Sequence, residues 1–303
     1  MDSTSIHSLN ADKGLRPHMK LLWFFHNWLN NNLFPNSTTR GLSLRNFHAD
    51  VSDKNWSRTN PESTPSRKLS DLFWLQLPWE AIKSELGQIN ILDSGCGNGN
   101  YATILQSYSE GAIASYTGLD IRQHDNWSRL TGAHPNFRFH VADSANMSKY
   151  FPEDANLIIS QSAIEHFEHD LRYFEQVREF ARNKQRSLIQ IHLFPSPACL
   201  GLYLLHGIRQ YTPRTISKAA RLFEGFSYSQ LYSLGERECN RLHWDHFTKP
   251  IFLKKAGISP RITSETYEER LRKAIVADNG KSHRSPSFYA LVIHSNWTTR
   301  IFD

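Results

Sequence analysis

The chain is poor in cysteine: Cys96, Cys199 and Cys239 are the only three in 303 residues, and none belongs to a CxxC pair or a Cys/His cluster. That excludes a disulfide scaffold and offers no zinc site, so no metal is expected. Long apolar runs are also missing. A bilayer-spanning helix needs roughly 20 apolar residues, and the best candidate, residues 193–208, is interrupted by Pro195, Pro197 and His206. Met1 to Leu21 has neither the continuous apolar core nor the small-residue cleavage site of a secretory signal. These absences predict a reducing, cytoplasmic setting, in which the Asn-Trp-Ser/Thr sequons at Asn55, Asn126 and Asn296 are coincidental. No tight block of Lys and Arg with interleaved aromatics occurs, so the sequence presents no clear nucleic-acid module.

What is present is unevenly distributed. The net charge of +6 resides in the C-terminal third, where residues 200–303 hold 16 Lys/Arg against 9 Asp/Glu, while residues 1–199 hold 19 against 20. Such an excess suits an anionic substrate, for example a nucleotide sugar, a phosphorylated glycan, a lipid headgroup or RNA, and equally a solvated basic face. Residues 1–66 are rich in Ser, Asn and Thr and carry Pro17, Pro35, Pro61 and Pro65, the composition of an extension outside the main fold. Within it, Met19 to Leu33 has apolar residues near helical spacing. This segment predicts a helix that packs on the catalytic domain as a lid. Peripheral membrane contact through residues 19–33 is the less favoured reading, because the segment has little positive charge of its own.

From Leu69 the pattern is regular. Leu69, Leu72, Phe73, Leu75 and Leu77 suit one helix, and Pro78 starts a second that stops at Gly87. Ile89, Ile91 and Leu92 then form a buried strand, after which Asp93 opens a turn with Gly95, Gly97 and Gly99 before helical spacing resumes. A strand, a backbone-exposing turn and a helix N-terminus bring N–H groups close to a ligand. The alternating glycines fit neither G-x-G-x-x-G nor a Gly-Lys-Ser/Thr phosphate loop. An acid ahead of the turn would repel phosphates and points to a ligand with a cation near it.

The run Asp93-Ser-Gly-Cys-Gly-Asn-Gly resembles motif I of the class I S-adenosylmethionine-dependent methyltransferases. Later segments follow in order. A strand over Ala114 to Leu119 ends at Asp120, 27 residues after Asp93, where a carboxylate can accept from two ribose hydroxyls. Phe137 to Val141 alternates as a third strand and leads into Ala142-Asp143-Ser144, similar to the family's adenine-binding segment. Asn156 to Phe167 resembles motif IV and the Leu-Glu-His segment behind it, with Asn156 standing where the family usually has Asp. The resemblance runs over roughly residues 67 to 295 and implies S-adenosyl-L-methionine as cofactor. It assigns cofactor binding to Asp93, Gly95, Cys96, Gly97, Gly99, Asp120, Ile121, Ala142, Asp143, Ser144, Ser160 and Gln161, and the candidate bases are His166, His192 or a histidine of residues 194–248 such as His206. Glu165 beside His166 is a further catalytic candidate or a polar support.

Asp170 caps a helix to about Arg182, and Ser187 to Leu193 reads as the fifth strand. Residues 194–248 break the rhythm for too long to be an ordinary loop and are read as a substrate cap, rich in aromatic and basic side chains, with a helix starting at Thr212-Pro213. His243 and His246 lack a third partner for a metal. Pro250 to Ala256 suits a last helix stopped by Gly257, with Pro260 to Ser264 and Ser287 to Ser295 as the final strand pair.

The expected fold is therefore α/β, a three-layer sandwich with a mostly parallel seven-stranded sheet, an N-terminal helical extension (1–66) and a methyltransferase domain (67–303) whose cap lies between strands 5 and 6. The expected function is O-methylation of a small molecule or glycan, in surface-polysaccharide or lipid-linked sugar assembly. An RNA or protein methyltransferase, or a non-catalytic binding module on the same fold, is the alternative.

Overall fold

A computed structural model describes residues 4–255, 264–279, 281 and 284–302. The strands are β1 (Leu42–Asn46), β2 (Ile89–Ser94), β3 (Ile113–Asp120), β4 (Phe137–Val141), β5 (Leu157–Gln161), β6 (Leu188–Pro195), β7 (Ser227–Leu234) and β8 (Phe288–Ser295). The helices are α1 (Pro17–Asn32), α2 (Asp53–Trp56), α3 (Pro65–Leu75), α4 (Trp79–Leu86), α5 (Asn100–Tyr108) and α6 (Asn126–Ala133), followed by α7 (Asp170–Lys184), α8 (Cys199–Leu202), α9 (Pro213–Arg221), α10 (Arg237–His243), α11 (Lys249–Lys255) and α12 (Ser264–Asn279). Local chemistry sets several boundaries. Thr64 Oγ1 accepts from the Arg67 N–H with Pro65 opening α3, and Thr212 and Thr215 form a reciprocal capping box at the start of α9.

The sheet order is β4-β3-β2-β5-β6-β8-β7-β1, parallel except for β8, which runs antiparallel to both neighbours. The fold is thus the expected α/β arrangement, with eight strands rather than seven. The extra strand comes from the N-terminal extension: β1 lies parallel to β7, with Leu42 opposite Ser229 and Asn46 opposite Ser233. A second difference concerns residues 194–248. The helix expected from Thr212-Pro213 is present as α9, but the segment is not one insertion outside the sheet, because β7 lies inside it and takes the sheet position expected of a strand at Pro260 to Ser264. Of that expected strand, residues 260–263 lie outside the described residues, as does the expected stop at Gly257, and Ser264 opens α12. In β7 only Leu231 and Leu234 are aliphatic, both buried in the core, and the rest is Tyr, Ser and Gln, so pairing on both sides adds to a sparse hydrophobic content in holding it in the sheet.

Strand parity divides the core. Ile89 and Ile91, Leu157 and Ile159, Ile189, Ile191 and Leu193 face a cluster with α3, α4, α5 and α12. Leu92, Ile158, Leu188 and Phe194 face the other side, against α7 and α9. Alternate residues therefore enter different environments. The helix of residues 19–33 is present as α1, but it packs through Trp23, Asn27 and Asn30 and leaves most of its apolar residues exposed. No helix among the described residues is long and apolar enough to cross a membrane.

Candidate active site

Because β2 to β6 are parallel, their C-terminal ends share one edge of the sheet, where ligands of open α/β sheets bind. The glycine turn leaves β2 there. The N–H groups of Gly95 and Cys96 both donate to Leu119 O, at 2.7 and 2.9 Å, which fastens the turn to β3. Gly95 has φ +84°, and a Cβ on it would lie 2.4 Å from Ala163 Cβ, so glycine is required by both conformation and space. Gly97, at φ +53°, would meet nothing within 4 Å. Its backbone is open to a ligand while its N–H donates to Asp120 Oδ2 at 2.9 Å. Asp120 Oδ1 accepts from the Arg122 N–H at 3.2 Å and lies 3.6 Å from His124.

Each remaining member of the expected cofactor set has a definite place. Cys96 Sγ packs over Gly118, where a Cβ would come within 2.7 Å of it, and burial beside Asp93 and Asp120 pushes the thiol well above its ordinary value. Trp127 Nε1 donates to Gly97 O at 2.8 Å, and Gly99 is the N-cap of α5. Ile121, 62% exposed, follows Asp120. At the end of β4, Ala142 is buried and Asp143 Oδ1 accepts from the Ala145 N–H at 2.8 Å, while Ser144 O accepts from Gln176. A polar hollow of about 390 Å³ lined by Asn98, Asn100 and residues 123–126 borders the turn.

Asp93 is buried in the core-facing side of β2. Tyr116 OH donates to its Oδ2, its Oδ1 has no partner, and desolvation raises its pKa to about 7 despite the tyrosine hydrogen bond. A buried carboxyl of this kind is favoured in its charged form only by a nearby cation or donor.

Parity separates Ser160 from Gln161. Ser160 turns toward α7 and lies 2.9 Å from His192 Nδ1, both fully buried. His192 sits between Ser160 and the rings of Tyr173 and Phe174, and burial pushes its pKa down to about 3. Its position is that of a fully buried, hydrogen-bonded core histidine. Gln161 turns the other way, accepting from Trp74 Nε1 at 2.8 Å, and lines a cavity of about 430 Å³. Arg67 and Ser70 of α3, Glu165, Tyr203 and His206 also line that cavity. Arg67 donates to Tyr101 OH at 2.8 Å, which in turn donates to Asp71. Glu165 is buried with Oε2 unpartnered, and desolvation raises its pKa to about 7.

His166 lies near this wall, partly exposed, and donates from Nδ1 to Asp12 Oδ2 at 2.8 Å. The second oxygen of Asp12 accepts from the Gly207 N–H at 2.9 Å and lies 3.2 Å from His206 Nδ1. Against the cost of burial, the Gly207 N–H and the two histidines hold the Asp12 carboxyl below its usual range. Burial and the neighbouring His166 lower the pKa of His206, partly offset by Asp12. Asp12 was absent from the sequence-based candidates, and no local pattern could have supplied it, since it meets His166 across 154 residues. Arg67 was missed as well. His206 was one of several histidines between the fifth and sixth strands that the sequence offered as a base without distinguishing among them. Among the described residues no group of three or more His, Cys, Asp or Glu is placed to hold a metal.

Comparison with known proteins adds three findings. A family model described as a methyltransferase domain matches residues 86–197. Among solved structures, the chain is similar to the plantazolicin methyltransferase BamL, in complex with a triazolic desmethylPZN analog and SAH, at 14% identity over 80% of this chain and 89% of that one, with a TM-score of 0.44. It is also similar to the [4+2]-cyclase SpnF (11% identity, 96% and 98% covered, TM-score 0.47) and to an S-adenosylmethionine dependent methyltransferase from Mesorhizobium loti (16%, 71% and 95%, TM-score 0.37).

Proposed function

We propose that the chain is an S-adenosylmethionine-dependent methyltransferase of the class I fold, a reading supported by the methyltransferase-domain match over residues 86–197, and that it methylates a hydroxyl of a small polar acceptor, a sugar or glycan, free or lipid-linked, in the cavity between α3 and the ends of β5 and β6. The residues present fit the cofactor. Gly97 leaves space for a ligand against the backbone, Asp120 offers a carboxylate at the turn, and the buried, unpartnered Asp93 Oδ1 suits a ligand that brings a positive charge. In this reading Asp93, Gly95, Cys96 and Gly97 form the cradle with Gly99 behind them, Asp120 accepts from the ribose, Ile121 and Ala142 flank the adenine, and Asp143 and Ser144 bound it. When bound, S-adenosylmethionine supplies a methyl group already activated by its sulfonium.

The protein then has to orient the acceptor and receive a proton. Gln161 and Arg67 are placed to bind polar or anionic groups in the cavity, and the basic excess of residues 200–303 supports an anionic acceptor. His206 is the proposed base. Asp12 engages its Nδ1, leaving Nε2 to take the hydroxyl proton, and the lowered pKa keeps the ring neutral near pH 7. His166 shares Asp12 and steadies the pair. Residues 67–303 are the proposed catalytic domain, and the 1–66 extension supplies Asp12 to it.

The observation that carries this reading is a cavity wall on which His206 is held by Asp12 and Glu165 presents a buried, unpartnered oxygen. The test is incubation with methyl-labelled cofactor and fractionated cell extract. Label should enter a low-molecular-weight or glycan fraction as an alkali-stable ether, and His206→Ala should slow its entry by roughly 10²- to 10⁴-fold while leaving S-adenosylhomocysteine binding intact. Label in RNA or protein would reject the acceptor class.

A further inference from the structure

The helix α1 is built inside out. At 100° per residue, Leu21, Phe24, Phe25, Trp28 and Leu29 share one face, and Trp23, Asn27 and Asn30 share the opposite one. The protein buries the second set. Trp23 Nε1 donates to Ile208 O at 2.7 Å, Asn27 Nδ2 to the same carbonyl at 3.3 Å, and Asn30 Nδ2 to Gln210 O at 3.4 Å. Asn27 Oδ1 accepts from the Gln210 N–H, and Arg214 donates to Asn30 Oδ1. These bonds fix the rotation of the helix, so the apolar face is held outward. Leu21 is 73% exposed, Phe25 52% and Trp28 48%, and Phe34, just past the helix, is 75% exposed. Leu204 and Leu205 add to the exposed apolar surface in the loop that leads into Gly207 to Gln210, the segment α1 grips.

Monomeric proteins rarely leave an aromatic and aliphatic face of this kind in water. Its electrostatic setting says what covers it. Residues 13–49 contain five Lys/Arg, at 13, 16, 20, 40 and 45, and no Asp or Glu. Lys13 lies 3.6 Å from Glu168, and the remaining basic residues in the same segment as this Trp, Phe and Leu face match an anionic bilayer surface, where indole and phenyl rings sit at the headgroup level and Lys and Arg meet lipid phosphates. A second copy of the chain would instead bring two segments of net positive charge together.

We propose that α1 is an interfacial anchor that docks the protein, in the plane of the membrane, on anionic phospholipid through Leu21, Phe24, Phe25, Trp28 and Leu29. The loop it grips carries His206 on the wall of the cavity, so docking brings the cavity beside the lipid surface. The docking stands on its own, whatever the acceptor is.

The test uses the full chain with sedimentable vesicles of phosphatidylcholine alone and of phosphatidylcholine with phosphatidylglycerol. The protein should sediment with the anionic vesicles, less so at high salt, and much less with the neutral ones. The triple variant Leu21→Ser, Phe25→Ser, Trp28→Ser changes only exposed side chains; it should melt like the wild type and lose about tenfold or more in vesicle partitioning. Wild-type protein that stays in the supernatant with both vesicles would overturn the proposal, as would a triple variant that sediments normally. A wild-type dimer in light scattering that the triple variant converts to a monomer would show instead that the face joins two copies.

Discussion

Gly95 and Gly97 share a left-handed backbone, but a methyl group on each would do different things. At Gly95 it collides with Ala163, so Gly95→Ala should destabilise the fold by about 1–3 kcal/mol, seen as a lower midpoint in urea unfolding. At Gly97 the methyl group meets no protein atom. Gly97→Ala should therefore cost only the left-handed backbone strain, about 1 kcal/mol and less than Gly95→Ala, and lose at least about tenfold in S-adenosylhomocysteine affinity, because the lost space is the ligand's. A parallel contrast separates the histidines. His206→Ala should reduce kcat by roughly 10²- to 10⁴-fold with cofactor affinity unchanged. The acid limb of the rate profile should lie below the ordinary histidine value, since a base works only when deprotonated and burial favours the neutral ring. Asp12→Asn removes the group that raises this pKa and should move the limb lower still. The glycine turn, Asp120 and Asp143 were legible in the sequence because each follows a strand directly, so chain order alone puts them on one edge. Asp12 was not, because its role exists only after the extension folds back over 154 residues.

Among the elements, the extension is tied down at a buried ion pair. Arg209 Nη1 lies 2.7 Å from Asp170 Oδ1 at the N-terminus of α7, with both side chains almost completely buried, and Ser5 donates to the same carboxylate from its N–H and its hydroxyl. Tyr211 OH adds a bond at 2.9 Å, and Arg209 donates to His7 O and Glu168 O. Asp170→Ala strips the counter-charge from a buried guanidinium and should cost about 3–5 kcal/mol in chemical denaturation. It should also loosen residues 4–13 and raise their amide exchange. The sequence marked Asp170 as a helix start without revealing this partner. Strand parity was readable in principle: counting by two from Ile159 puts Gln161 on the α3 side and Ser160 on the α7 side, where His192 follows from Ile191 in the same way. The strand β7 was hidden because its alternation is of Tyr, Ser and Gln, which resembles a loop until neighbours on both sides pair with it.

At the scale of the molecule, burial of ionisable groups sets the response to acid. The pKa values of His192 (about 3) and of His7, His243 and His294 (about 4) are depressed by burial. Unfolding lets these rings bind protons near pH 6.5, so their contribution to stability is intact above that value and is lost as pH falls toward the folded values. Asp93 and Glu165 act oppositely: with folded values of about 7, they contribute below their unfolded values and lose that contribution as pH rises through about 7. Four histidines against two carboxyls predict a melting temperature that falls from about pH 7 to about pH 5, with a shallower fall in His192→Gln. A flat profile would contradict this balance. The same molecule gathers the cofactor turn, the cavity and the end of the extension at one edge of its sheet, and the claim that binds them is the methyl donor. Isothermal calorimetry with S-adenosylhomocysteine tests it most directly. The account predicts one ligand per chain, with affinity sharply reduced in Asp120→Ala; no heat of binding to the folded wild-type chain, or an affinity unmoved by Asp120→Ala, would contradict it.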